Sequence, residues 1–237
     1  VNEDAFGVSD DGNWFVVADG CGGRSSGRRA SDLAVQCILT SEHDPNHQSV
    51  AVADPLAARV LEANDNVFRA ARQDPALVGM GCALAALRLG KGHVAIVHVG
   101  DCRVGRLGSA FVQRADGDNS PELRWLTLDH VLWVEALLAG RPLAEVEELR
   151  SLHGSVIMRA VGVTDSLDVE VLYRAVQPGD LFLLCTDGLS AHVPHETITR
   201  ILRSPACLAE RCGALLDGAE TAGGYDNATV ILVETRA

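Results

Sequence analysis

The chain of 237 residues is 47% hydrophobic and 22% charged with a formal net charge of −12, a composition that excludes a disordered or fibrous protein and disfavours a nucleic-acid or anionic-membrane surface, while suiting a protein that holds divalent cations. No apolar run approaches a membrane span and no leader pattern opens the chain, so a cytoplasmic site of action is expected, although a start on VNED suggests residues missing upstream. Seven cysteines, an odd number without a C-x-x-C pair, predict reduced thiols rather than a disulfide framework or a zinc site.

In chain order, residues 14 to 18 (WFVVA) read as a buried strand that runs into Asp19-Gly20. Asp-Gly is a common hairpin signal. Residues 25 to 39, however, carry a serine cap and the apolar residues Ala30, Leu33, Ala34, Cys37 and Ile38 at helical spacing, so the chain does not return as a second strand. Residues 54 to 72 predict an amphipathic helix, with Asp54 before Pro55 at its start and a stripe through Leu56, Val60, Leu61, Asn64, Val67 and Phe68. CALAALRL and HVAIVHV read as strands joined by GKG, the second ending in Gly100-Asp101, and RVGRL and LRWLTL continue the strand-rich section. A helical stretch from about 131 to 151 splits near Gly140-Arg141-Pro142. Residues 167 to 186 give a strand, a Pro178-Gly179-Asp180 turn and the apolar strand LFLLC, which runs into Thr186-Asp187-Gly188. Two short helices, about 194 to 203 and 205 to 217, precede GGYDN and the last strand, ATVILVE. Strands in runs with helices grouped between them indicate α+β layers in one domain over residues 1 to 237, without repeat or linker.

Asp19, Asp101 and Asp187 each follow an apolar strand, and Asp226 just precedes one, all beside glycines. Any one of them reads equally well as a capped turn. If the strand ends converge, the carboxylates repel by about 4 kcal/mol per close pair at a protein-like effective dielectric, and a divalent cation is the natural counter-charge. All-oxygen ligation selects hard Mg²⁺ or Mn²⁺ over zinc, and the glycines let a backbone carbonyl and water approach the ion. Glu3 and Asp4 add two further carboxylates beside Asn2.

Taken in order, NEDA (2 to 5), VADGCGGRSSG (17 to 27), MGCA (80 to 83), HVGDCR (98 to 103), LTLDH (126 to 130), IMRAVG (157 to 162), LLCTDGL (183 to 189) and GGYDNATV (223 to 230) resemble the motifs of the metal-dependent serine/threonine protein phosphatases, the PPM or protein phosphatase 2C family, in their compact bacterial form. The resemblance implies a four-layer αββα sandwich, two central, mainly antiparallel β-sheets flanked by helices, with two Mn²⁺ or Mg²⁺ ions at one end. On that resemblance Asp19 bridges the ions, the Gly20 carbonyl binds one, and Asp187 and Asp226 complete the direct ligands. Glu3 and Asp4 hold metal-bound waters, and Asp101 with Asp187 forms a weaker third site. The implied reaction is hydrolysis of phosphoserine and phosphothreonine in proteins by a metal-bridging water, through Asp19, Asp187 and Asp226 as its catalytic residues. The implied partners are phosphorylated proteins and a bacterial Ser/Thr kinase or its targets, met by a monomer without nucleic acid or membrane.

The family's phosphate-gripping arginine falls two residues before Val1, and Arg24 is the nearby candidate for substrate binding. MGCA stands for the usual MGTT, and Cys102 and Val131 replace common serines, changes expected to tune activity or metal affinity by about one or two orders of magnitude. No phosphate-cradle spacing surrounds Cys21, which reads as packing. His98 and His130 read as hydrogen-bonded structural residues, with His130 a lesser candidate for proton donation to the leaving oxygen. The resemblance also makes about 131 to 155 a flap beside the site. Trp133, Leu137, Leu138 and Leu149 there are read as packing on the sandwich in preference to facing substrate. The alternative to an enzyme is a pseudophosphatase that binds phosphoproteins without turning them over. A haloacid dehalogenase-type site is set aside, because position 21, where its second aspartate belongs, is Cys.

Overall fold

A computed structural model describes residues 1–22, 26–40, 54–108 and 121–236; Arg24 and Ser25 lie outside the described residues. The chain opens with a hairpin of β1 (Asp4–Val8) and β2 (Trp14–Cys21), followed by α1 (Ser26–Thr40) and α2 (Pro55–Gln73). Next come β3 (Gly81–Gly90), β4 (His93–Val99), β5 (Arg103–Leu107) and β6 (Leu123–Trp125), then α3 (Leu132–Leu138) and α4 (Leu143–His153). The last part holds β7 (Val171–Ala175), β8 (Leu181–Cys185), α5 (Asp187–Ser190), α6 (His195–Leu202), α7 (Leu208–Thr221) and β9 (Val230–Glu234). Among the described residues these strands form two sheets, in the orders β1-β2-β3-β4-β7 and β6-β5-β8-β9, and every pairing is antiparallel.

The period of the strands sorts their side chains into layers. Val16 and Ala18 face Ala34, Ile38 and Val67 of α1 and α2. Val17, between them in sequence, points the other way and packs with Ala85 and Ile96 against Val104, Phe182, Leu184 and Ile231 of the second sheet. On that sheet's far face Leu183 and Cys185 meet Leu189, Ile198, Leu202 and Leu215. The arrangement is the expected αββα sandwich. It also explains why LFLLC is apolar at every position: β8 is buried on both faces. Each large side chain so buried contributes about 1.5–3 kcal/mol.

Local chemistry sets several boundaries. Asp54 caps α2 by accepting the N–H groups of Leu56 at 2.8 Å and Ala57 at 3.3 Å, with Pro55 at the first helical position. Asn64, the polar member of the α2 stripe, is buried, donates to the Thr164 carbonyl at 2.9 Å and accepts the Gly162 N–H at 2.7 Å. LRWLTL is a strand only through Trp125, because Val104 next donates to the Thr127 hydroxyl at 3.0 Å in place of a backbone carbonyl. Residues 131 to 155 form α3 and α4, split where expected, yet the two helices pack chiefly on each other. They bury Val134 and Val146, while Leu137 and Leu138 stay exposed and Trp133 lies under the Arg150 guanidinium at 5.0 Å, so these side chains do not pack on the sandwich as expected.

Candidate metal centre

Six acidic residues gather at one end of the sandwich. Asp4 opens β1 and stands directly across from Asp19 on β2. Asp19 is not the residue after its strand, as WFVVA alone suggests. β2 continues to Cys21, because Gly20 and Cys21 still pair with Cys82 and Gly81 of β3. Asp101 follows β4 through Gly100, whose φ of +86° suits a residue without a side chain and whose Cβ would lie 2.6 Å from that of Ala83. Asp187 opens α5 two residues beyond β8, and Asp226 lies shortly before β9. Glu3 is anchored by its backbone: its N–H donates to Asn227 Oδ1 at 2.9 Å, and its carbonyl accepts the Ser31 hydroxyl at 2.6 Å and the Gly20 N–H at 3.2 Å.

The carboxylates feel one another. Burial, then the charges of Asp4, Asp187 and Asp101, raise the Asp19 carboxyl far above the usual range. Burial likewise raises Asp187, and Asp226 adds to the effect. Asp4 is raised by burial against the pull of the Thr229 and Thr186 hydroxyls, with Asp187 and Asp226 opposing ionisation. Asp101 is pushed up to about 7, first by burial and then by Asp187 and Asp129. Like charges directly opposed on neighbouring strands are destabilising, and Asp4 opposite Asp19 is such a pairing when both are ionised.

Among the described residues, no group of three or more Asp, Glu, His or Cys side chains is already placed to hold an ion. A cation nonetheless fits the donor set. Glu3 Oε1, Asp4 Oδ1 and Asp187 Oδ1 are buried oxygens without a hydrogen-bond partner, and a buried carboxylate oxygen in that state is costly unless a cation or water meets it. Gly20 and Gly27 make the space: a Cβ on Gly20 would strike the Gly27 carbonyl, and one on Gly27 would lie 2.7 Å from the Gly20 carbonyl oxygen and 2.8 Å from Glu3 Oε1. The donors are all oxygen, as hard divalent ions prefer.

The cysteines do not compete for the chemistry. All seven are free thiols, and burial raises Cys82, Cys102 and Cys185, while burial and the charges of Asp19 and Asp101 raise Cys21. His98 and His130 stack with centroids 4.4 Å apart; His98 Nε2 donates to the Leu128 carbonyl at 2.7 Å and His130 Nδ1 accepts the Gly100 N–H at 3.2 Å. Burial, the neighbouring His98 and Arg159 lower His130 to about 4, which makes it a poor proton donor. Asp129 is taken up by Arg103 in a two-pronged pair at 2.8 and 2.5 Å. The segment carrying α3 and α4 is closed at this end by the Met158 N–H, which donates to the His130 carbonyl at 2.8 Å, and by the Arg159–Glu135 ion pair at 2.8 Å. Thr186, Thr229 and Asn227, which hold Asp4 and Glu3, were not singled out by sequence reasoning, although each lies inside a quoted motif.

The family model described as protein phosphatase 2C matches residues 1–217. The serine/threonine phosphatase stp of Listeria monocytogenes is 32% identical over 98% of this chain and 90% of its own length. Protein phosphatase PhpP of Streptococcus pneumoniae is 30% identical over 92% of this chain and 84% of its own. Among solved structures, the Mycobacterium tuberculosis serine/threonine phosphatase PstP superposes with a TM-score of 0.81 at 30% identity, over 100% of this chain and 93% of that one. A catalytic domain of PstP in complex with two manganese ions gives 0.78 at 29%, with the same coverage. The chain belongs to the protein phosphatase 2C family of serine/threonine phosphatases.

Proposed function

We propose that this protein hydrolyses phosphoserine and phosphothreonine monoesters in proteins, at a centre of two Mn²⁺ or Mg²⁺ ions, and so opposes a bacterial Ser/Thr kinase. The observation that carries the reading is the set of buried, unpartnered oxygens on Glu3, Asp4 and Asp187, gathered with Asp19 in a chain whose relatives are named phosphatases. Asp19, the Gly20 carbonyl, Asp187 and Asp226 would hold the ions directly, Glu3 and Asp4 through water, and Asp101 with Asp187 a third ion. When bound, such ions supply Lewis acidity, which acidifies a water and neutralises phosphoryl charge.

The protein's own residues do the rest. Asp19 on β2 and Asp187 at the start of α5 would supply the paired negative charge that holds the ions. Gly20 and Gly27 keep side chains out of the space beside Glu3. Asp4, 3% exposed, stays oriented inside the sandwich rather than solvated. The free thiols support a reducing cytoplasmic setting, and among the described residues no helix is long and apolar enough to cross a membrane. The proposal includes a monomeric single catalytic domain over residues 1 to 237, with its flap at about 131 to 155 and no nucleic-acid partner. Arg24 remains a proposed substrate contact outside the described residues.

The test is hydrolysis of a phosphothreonine peptide with Mn²⁺ titrated in and then removed by EDTA. Turnover that appears with metal and disappears with chelator is the expected result. Mn²⁺ binding without turnover would overturn the enzyme reading in favour of a phosphoprotein-binding pseudophosphatase.

A further inference from the structure

The two oxygens of the Asp4 carboxylate have unlike surroundings. Oδ2 accepts the Thr186 hydroxyl at 2.9 Å and the Thr229 hydroxyl at 2.7 Å. Oδ1 is buried and has no partner. Thr186 is fully buried, and its oxygen also accepts the Thr229 N–H at 3.0 Å. It occupies the N-cap of α5, where a threonine oxygen ordinarily accepts one of the helix's first free N–H groups. Here the side chain makes no such bond. Its one proton goes to Asp4, and its oxygen is turned to Thr229 instead.

Asp4 belongs to the first sheet, whereas Thr186 follows β8 and Thr229 precedes β9 of the second. The three side chains therefore close the sandwich at the end where the acids gather. Because both hydroxyls meet the same oxygen, they also determine which oxygen is left facing inward. A carboxylate held by one edge loses the freedom to rotate its second oxygen away.

We propose that Thr186 and Thr229 are positioning residues for the metal centre: by gripping Asp4 Oδ2 they present Oδ1 to the hydration shell of a bound divalent ion, and metal affinity depends on both hydroxyls. The proposal rests on the metal-dependent reading above. Neither residue touches substrate, and their effect passes through Asp4.

The experiment is titration calorimetry with Mn²⁺ alone on the wild type and on Thr186→Val, Thr229→Val, Thr186→Ser and Thr229→Ser, with the metal-free melting midpoint measured on the same samples. Valine keeps the shape and removes the donor; serine keeps the donor. Each valine variant should bind Mn²⁺ about 10–100-fold more weakly, as removal of outer-shell partners of metal ligands generally does, and each serine variant should bind near the wild-type level. Valine variants that bind as tightly as wild type would overturn the proposal, as would serine variants that lose as much affinity as valine. If Thr186→Val fails to fold at its fully buried site, Thr229→Val and Thr229→Ser at the part-buried site carry the same test. A wild type that binds no Mn²⁺ would bring down the metal reading and this proposal with it, whereas a binding wild type with unaffected valine variants removes this proposal alone.

Discussion

Asp101→Asn should stabilise the metal-free protein while weakening its response to metal. Asp101 is 7% exposed, and burial together with Asp187 and Asp129 pushes its carboxyl up to about 7 from an ordinary 3.8. The native state therefore holds this proton more tightly than the unfolded chain. Stability falls as pH rises from about 4 to about 7, and the deficit is complete above that window; a shift of about three pKa units corresponds to about 4 kcal/mol. Asparagine carries no charge but still needs partners for its amide, so we expect recovery of about half, near 2 kcal/mol, or a midpoint about 4–8 °C higher for a chain of this size. Thermal melts in EDTA at pH 8, 6 and 4 read the difference directly. The variant should melt higher at pH 8, the gap should narrow at pH 6, and at pH 4, where the wild-type carboxyl is protonated and only the cost of the amide remains, the order should reverse. Equal midpoints at pH 8, or a gap that ignores pH, would refute the account of a strained carboxylate. Added Mn²⁺ should then raise the wild type by more than the variant, because a ligand that binds only the native state stabilises in proportion to its occupancy.

Asp19→Asn should lower peptide hydrolysis by at least about two orders of magnitude with the far-ultraviolet circular dichroism unchanged, and retained turnover in that variant would remove Asp19 from the site. Gly27→Ala drives a Cβ to 2.7 Å from the Gly20 carbonyl and 2.8 Å from Glu3 Oε1. Because one of those neighbours is backbone, the expected cost is about 1–3 kcal/mol in urea unfolding, accompanied by weaker Mn²⁺ binding in calorimetry. Asn64→Ala removes a donor from the Thr164 carbonyl and an acceptor from the buried Gly162 N–H. It should cost about 1–3 kcal/mol in urea unfolding, and an unchanged midpoint would show that water replaces both bonds.

The parts of this molecule that were legible from sequence are those whose cause is local. LFLLC was readable as an apolar strand, and α2 announced itself through Asp54-Pro55 and its apolar stripe. The strand-end aspartates could be picked out because a carboxylate flanked by glycines at the end of an apolar run is a recognisable pattern, and the structure brings Asp19, Asp101 and Asp187 within electrostatic reach of one another. What escaped depends on partners far along the chain. Asp-Gly-Cys is a poor strand sequence, and β2 continues through it only because β3, some sixty residues later, supplies the pairing. The grip on Asp4 joins residues 182 and 225 positions apart, which no periodicity can show. Asn64 looked like a polar gap in an apolar stripe until the loop at 162–164 came to meet it.

The same division explains how the chain tolerates its acidic end. The three packed layers are apolar and separate from the carboxylates, so the repulsion at the strand ends is opposed by burial elsewhere in the molecule. That separation leaves Asp4, Asp19, Asp101 and Asp187 free to remain mismatched with their surroundings. A fully neutralised cluster would fold more stably and offer a divalent cation less. The raised carboxyls and the orphaned oxygens are thus two signs of one condition: acidic groups buried together beyond what the hydrogen bonds of the described residues satisfy.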